Sequence, residues 1–227
     1  MSYLVGVAGM KYNPERSSRV ARPVEIPDYA VPAWIHPEAR QYLQERGMTE
    51  EEVQSYEFMY CERGYWARRV LIPMFNAQGV LVCLQGRAID AQTERYLTYG
   101  LKPFYCPWDV SDVGSSSSLL VVEGAFDCVA IARIFPHVGA ILGSEPSQFQ
   151  IHEIIEMAHA CHAQRIGIWL DADGSQYAYA LKLKLRPYMS VYVLDFQTER
   201  LTLDVKDPGS CHPEQVIQIL KHHQFIS

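Results

Sequence analysis

No two cysteines of this chain stand at the spacing that a zinc ribbon needs. Cys61, Cys83, Cys106, Cys128, Cys161 and Cys211 are scattered and no CxxC occurs, so no zinc is expected. Cys61, Cys83 and Cys128 lie in apolar stretches and read as buried reduced thiols, which suits the cytoplasm better than secretion. The amino terminus lacks the charged start and apolar core of a signal peptide, and no apolar run reaches the length of a membrane span. No membrane partner is therefore expected. HxH, HExxH, GxSxG and GxxxxGK[ST] are all missing, which removes the usual signatures of zinc proteases, serine hydrolases and P-loop motors. His159 and His162 stand three apart beside Cys161, a spacing that suits a metal clasp but suits an exposed helix face better. Strong charge is missing too. With 20 basic and 26 acidic residues the formal net charge is −6, which argues against coating nucleic acid wholesale and leaves room for a local basic patch.

What is present is enough for a sizeable core: 227 residues, 48% of them hydrophobic, sufficient for one large domain or two small ones. The chain is organised around 119–131. There a short apolar run enters Glu123-Gly124 and an apolar helical pattern follows at once, as in a buried parallel strand that turns into a helix. Glu123 then sits at the carboxyl end of a strand, where open α/β sheets place ligands, and Asp127 follows one helical turn later. The pattern repeats. Strands are predicted at 119–122, 138–142, 166–170 and 191–194. Helices are predicted at about 126–135, 147–160, 175–186 and 213–223. Strict alternation of this kind makes a parallel sheet flanked by helices with right-handed crossovers.

The first part of the chain reads differently. Residues 1–36 are rich in Pro, Arg and Ser and read as an extended arm or linker; Lys11, Arg16, Arg19 and Arg22 are expected to be solvated there. Pro37 to Gly47 is predicted as a short helix, and Thr49 to Glu52 as the capping box of a second. Residues 69–75 and 80–84 form a hairpin around Asn76 to Gly79, Gln85-Gly86-Arg87 follows directly, and 94–97 is a further short strand. Gly114 to Ser118 reads as a linker. The expected division is thus an arm (1–36), a small α+β subdomain (37–114) and an α/β domain (115–227).

Two sets of charged residues carry chemistry. Glu123, Asp127, Asp171, Asp173 and Asp207 gather at strand ends, where carboxylates repel one another unless a cation neutralises them. Hard divalent ions, magnesium or manganese, suit such oxygen ligands. Singly, each acid has a structural alternative: Asp173 as the cap of the helix near Ser175, Asp127 as a partner of its own helix terminus. The second set is Arg68, Arg69, Arg87, Arg95 and Lys102, whose grouping in a chain of negative net charge suits a nucleotide or template site. Gly143 ends the second strand and serves equally as a phosphate approach or as an ordinary turn.

These motifs, in this order, resemble the Toprim domain shared by bacterial-type primases, topoisomerases, small nucleases and recombination proteins. The residues concerned are Glu123-Gly-Ala-Phe-Asp127, Asp171-Ala-Asp173 and Lys206-Asp207-Pro208. The stretches 42–52, 69–74, 76–79, 85–87 and 95–97 resemble the amino-terminal part of the RNA polymerase domain of bacterial and phage primases. The resemblance covers roughly residues 37 to 222. It implies a DNA primase core that synthesises short RNA primers on single-stranded DNA from ribonucleoside triphosphates. It further implies metal binding by Glu123, Asp171, Asp173 and Asp207 with Asp127 in support, catalysis at Glu123, Asp171 and Asp173, and nucleotide or template contacts from Arg69, Arg87, Arg95, Lys102, Gly143 and Lys206. Two other functions share these motifs: a metal-dependent Toprim nuclease, and a non-catalytic nucleic-acid-binding or partner-recruiting module.

The chain departs from the family pattern at Gly209, where an acid is usual, and before Gly86, where the glycine-rich approach is reduced to Cys-Leu-Gln. No zinc-binding module is expected before the core and no helicase module after it. The expectation is a core of the smaller phage and plasmid kind, in the host cytoplasm if phage-encoded, with a separate zinc-binding chain or a replicative helicase as partner.

Overall fold

A computed structural model describes residues 23–76, 79–92, 94–108, 114–195 and 205–226. The basic residues of the arm, from Lys11 to Arg22, lie outside this range. Two sheets organise the rest. The first is antiparallel, in the order β1 (Val31–Pro32), β2 (Met59–Cys61), β3 (Arg69–Phe75), β4 (Leu81–Ala88) and β5 (Tyr96–Gly100). Its helices are α1 (Pro37–Glu45) and α2 (Glu50–Ser55). Proline opens α1, where a missing N–H costs nothing. The predicted capping box opens α2: Glu52 N–H donates to the Thr49 hydroxyl at 3.2 Å and Thr49 N–H to the Glu52 carboxylate at 2.9 Å. The β3–β4 hairpin closes through Val80 N–H to the Asn76 side chain at 3.0 Å, with Gly79 at φ 72°. The strands β1 and β2, of two and three residues, lie outside the predicted set because they are too short for a period to show.

Strand alternation divides β4 between two environments. Leu84 and Gly86 face a small cluster with Cys61, Trp66 and Leu71, and a Cβ on Gly86 would lie 2.7 Å from the Trp66 ring. Cys83, Gln85 and Arg87 take the opposite face. Across the ladder, Gln85 pairs with Thr98 and Arg87 with Tyr96, so a polar strip of two strands is turned toward the second sheet.

The second sheet is parallel, in the order β7 (Val138–Ala140), β6 (Ser118–Val122), β8 (Arg165–Trp169) and β9 (Ser190–Val193). Its helices are α3 (Ala125–Ala132), α4 (Gln148–Ala160), α5 (Ser175–Leu185) and α6 (Pro213–His222). All four predicted strands and all four predicted helices are present. Leu119 and Val121 of β6 pack with α4 and α5, whereas Leu120 and Val122 pack with α3 and α6. One helix pair therefore covers each face. The α3 side is continuous with the first sheet, because Val70, Ile72 and Cys83 share one buried cluster with Leu120, Val129 and Ile219.

The serine run before β6 is not a free tether. Ser116 N–H donates to Cys161 O at 2.8 Å, Gln164 N–H to Ser117 O at 2.9 Å, and Ser118 is buried within β6 with its hydroxyl accepting from Arg165 at 2.7 Å. Backbone pairing with the α4–β8 turn overrides the flexible composition. The cysteines Cys61, Cys83, Cys128, Cys161 and Cys211 are buried and all six are free. His159 and His162 are both exposed.

Candidate active site

A cleft of about 340 Å³ lies between the two sheets, lined on one side by Glu123, Asp127, Asp171 and Asp207 and on the other by Arg46, Arg87, Arg95 and Lys102. The acids come from the carboxyl ends of the central strands. β6 ends at Val122 and β8 at Trp169, so Glu123 and Asp171 leave the pleat side by side. Ser144 donates its hydroxyl to Glu123 Oε1 at 3.2 Å, while Oε2 is buried with no hydrogen-bond partner among the described residues. Asp171 Oδ1 is likewise buried and unpartnered. Burial pushes the Asp171 carboxyl up to about 7, helped by the charges of Glu123, Asp207 and Asp173 and opposed by Arg95. Burial also raises Glu123; the Ser144 hydroxyl opposes this, Asp173 adds to it, and the Asp171 amide offsets part of it. Asp127 is raised well above the ordinary carboxyl range, by burial and then by the neighbouring Asp207 and Asp171. Asp207 hangs on a short turn, its Oδ1 accepting from the Ser210 hydroxyl at 2.6 Å. Among the described residues no three His, Cys, Asp or Glu side chains close around one point as a ready-made cage.

The opposite wall is held by aromatic rings. Arg87 is 7% exposed, donates from Nε to the Tyr42 hydroxyl at 2.9 Å, and lies over the Tyr96 ring at 4.7 Å. Arg46 lies 4.8 Å from the rings of both Tyr42 and Phe126. Cation–π packing orients a guanidinium without neutralising it. None of Arg46, Arg87, Arg95 and Lys102 takes part in an ion pair among the described residues. Lys102 Nζ donates to Leu142 O at 2.9 Å, and Leu142 stands at φ 59°. The turn after β7 is thus held in a left-handed conformation against the base of the cleft, with Gly143 at φ 148° on its wall.

The structure brings together Glu123, Asp127, Asp171, Asp207, Arg87, Arg95, Lys102 and Gly143, and leaves four predicted residues outside the cleft lining. Arg69 is buried under the loop before β5, its guanidinium donating to Glu94 O at 2.6 Å and Gln92 Oε1 at 2.9 Å. Arg68 faces away and pairs with Glu38 at 2.9 Å and Asp90 at 2.5 Å. Lys206 is exposed outside the cleft lining, although its carbonyl accepts from Ala172 N–H at 2.8 Å and ties the Asp207 turn to the end of β8. Asp173 is exposed on the rim in a 3-10 turn, and α5 starts from Gly174 with no side-chain cap. Arg46, Tyr42 and Tyr96 are additions that the sequence reading did not contain. The signal for the first two was the four-residue spacing of Tyr42 and Arg46 on one helix face.

No protein-family model matches the chain, and no curated protein matches its sequence. Solved structures do. A DnaG primase catalytic domain bound to single-stranded DNA superposes with a TM-score of 0.66 at 18% identity, over 86% of this chain and 75% of that one. The zinc-binding and RNA polymerase domains of Aquifex aeolicus primase give 0.66 at 16% identity, over 84% and 57%. The RNA polymerase domain of Mycobacterium tuberculosis primase DnaG, in complex with double-stranded DNA carrying a 6-nucleotide overhang, gives 0.61 at 18% identity, over 83% and 75%. The chain has the fold of DnaG primase catalytic cores.

Proposed function

We propose that this chain is a primase core, joining ribonucleotides into short primers on a single-stranded DNA template by metal-dependent nucleotidyl transfer. The observation that supports it is the pairing of two unlike walls across one cleft. Arg46, Arg87, Arg95 and Lys102 carry positive charge with which no carboxylate among the described residues forms an ion pair, and they face Glu123 and Asp171, which each carry a buried oxygen with no hydrogen-bond partner among those residues. Polyanions such as a template strand and a nucleoside triphosphate complement the first wall. A hard divalent ion, magnesium or manganese, complements the second, whose donors are all carboxylate oxygens. Glu123, Asp171 and Asp207 would hold it, with the charge of Asp173 acting on Glu123 and Asp171 from outside the lining. When bound, such an ion offsets charge on the attacking and leaving oxygens of a phosphoryl transfer.

The chain's own residues supply orientation. Arg87, fixed by Tyr42 and Tyr96, presents its remaining N–H donors to a phosphate. Arg46, between two rings, does the same from the end of α1. The DNA carried by two of the similar structures supports nucleic acid as a ligand of this fold. A replicative helicase or a separate zinc-binding chain would raise local template concentration and choose start sites. The test is incubation of the protein with single-stranded DNA, magnesium and labelled ribonucleoside triphosphates. Magnesium-dependent RNA primers are expected. DNA fragments in their place would make the site a nuclease, and retained DNA binding without either product would make it a recruiting module.

A further inference from the structure

Asp127 lies on the carboxylate wall, yet its surroundings differ from those of Glu123 and Asp171. Each of those two acids keeps a buried oxygen without a partner. Both oxygens of Asp127 are engaged by backbone N–H groups. Oδ2 accepts from Gly124 N–H at 3.1 Å and Oδ1 from Gly209 N–H at 3.2 Å, across 82 residues of sequence. The second contact joins the first turn of α3 to the 3-10 turn Pro208–Ser210, which carries Asp207 at its start. No room remains at the junction. A Cβ on Gly209 would lie 2.6 Å from Asp127 Oδ1 and 3.0 Å from Asp127 Cα, and one on Gly124 would lie 2.6 Å from Oδ2. A carboxylate whose two oxygens are each tied to a backbone N–H in such a confined place is held by the fold, and partners one step removed from a metal set the position of its ligands.

We infer that Asp127 is a positioning residue and not a metal ligand: it clamps the Pro208–Ser210 turn to α3 and so fixes Asp207 on the wall of the cleft. This rests on the functional reading above only in treating Glu123, Asp171 and Asp207 as the cation site. The glycine at 209 belongs to the same device, since any side chain there drives the turn off α3. An acid at 209 therefore displaces the turn and adds no ligand.

Manganese binding by calorimetry, with amide hydrogen exchange at Gly124 and Gly209, tests this without reference to activity. Asp171→Asn is expected to lose most Mn²⁺ binding with both amides still protected. Asp127→Asn keeps one carbonyl oxygen for Gly209 N–H, so it should retain that amide's protection and bind Mn²⁺ clearly better than Asp171→Asn. Asp127→Ala should lose protection at both glycines and weaken Mn²⁺ by about tenfold. Gly209→Asp should lower the melting temperature and weaken Mn²⁺ to a similar extent. If Asp127→Asn loses as much Mn²⁺ as Asp171→Asn while Gly209 stays protected, Asp127 is a ligand and the clamp is wrong. Tighter Mn²⁺ binding by Gly209→Asp would also overturn it. Unchanged binding in Asp171→Asn would instead refute the cation site itself.

Discussion

Asp171 shows how a single carboxyl links stability to function. Its folded pKa is pushed from 3.8 up to about 7 by burial and by three neighbouring acids. A carboxyl raised on folding favours the folded state while protonated, so its contribution is fully present below the unfolded value and is lost as pH rises through the folded one. Metal-free protein should therefore lose melting temperature between roughly pH 4 and pH 7, and Asp171→Asn should flatten that slope. Saturating magnesium should reverse the trend, because metal and proton compete for the same oxygens. A metal-free melting temperature that climbs with pH across this window would sink the assignment. On the other wall, Arg87→Ala should weaken DNA or nucleotide binding by roughly ten- to hundredfold and leave Mn²⁺ binding intact. Arg87→Lys should restore only part, since lysine has neither the planar fork nor the second donor set needed to hold Tyr42 and a phosphate together. Full binding by Arg87→Ala would reduce this residue to a packed structural cation.

At the scale of elements, small residues decide how closely layers approach. Gly167 in the middle of β8 leaves space that Phe225 fills: a Cβ there would lie 2.5 Å from the Phe225 ring and 2.8 Å from Leu120. The ring belongs to the stretch after α6 and lies on the face of the parallel sheet that α3 and α6 cover. Gly167→Ala is expected to cost about 1–3 kcal/mol by overpacking, read as a lower denaturation midpoint with an unchanged slope. Equal stability would show that Phe225 moves aside freely. The helix α2 illustrates the opposite case, an element held by its end. Glu52 completes the capping box and also takes a bidentate pair from Arg133 at 2.6 and 2.8 Å, which joins α2 to the end of α3. Burial would raise its pKa, but the bonds from Arg133 and Thr49 N–H outweigh this and leave it lowered.

For the whole molecule, the decisive feature is that the two sheets share one buried cluster. Its members run from Ala33 and Leu43 through Val70 and Ile72 to Leu120, Phe126 and Leu220. The cleft is therefore a gap in a continuous packed body, and its two walls keep a set distance. Thermal unfolding is expected to give one transition, with fluorescence and far-UV dichroism coincident. Two separated transitions would mean that the sheets unfold independently and that the cleft is hinged.

The second sheet was legible in the sequence because each of its elements announces itself locally. β6 and β8 are short apolar runs that end in acids, and the intervening helices carry their own period. The hairpin and the Thr49 capping box were legible for the same reason: turn and cap chemistry acts over four residues. So was the gathering of Glu123 and Asp171, because parallel strands must end at one edge; Asp207 reaches them on a turn held by Asp127. What only the tertiary structure decided is what depends on the opposite partner. Arg69 and Arg87 look alike in sequence but stand one register step apart on paired strands, with side chains on opposite faces: one is drawn under a loop by carbonyls, the other is held by Tyr42 and Tyr96 toward the acids. Arg46 joins the site only because α1 packs against Phe126. Ser116 and Ser117 read as a tether and are paired to the turn before β8. Asp127 and Asp171 have the same side chain, and what separates them is that Gly209, far along the chain, brings its N–H to one and nothing to the other. Local chemistry determines elements and strand ends; which charges are neutralised is settled by contacts between residues distant in sequence, and no local pattern records them.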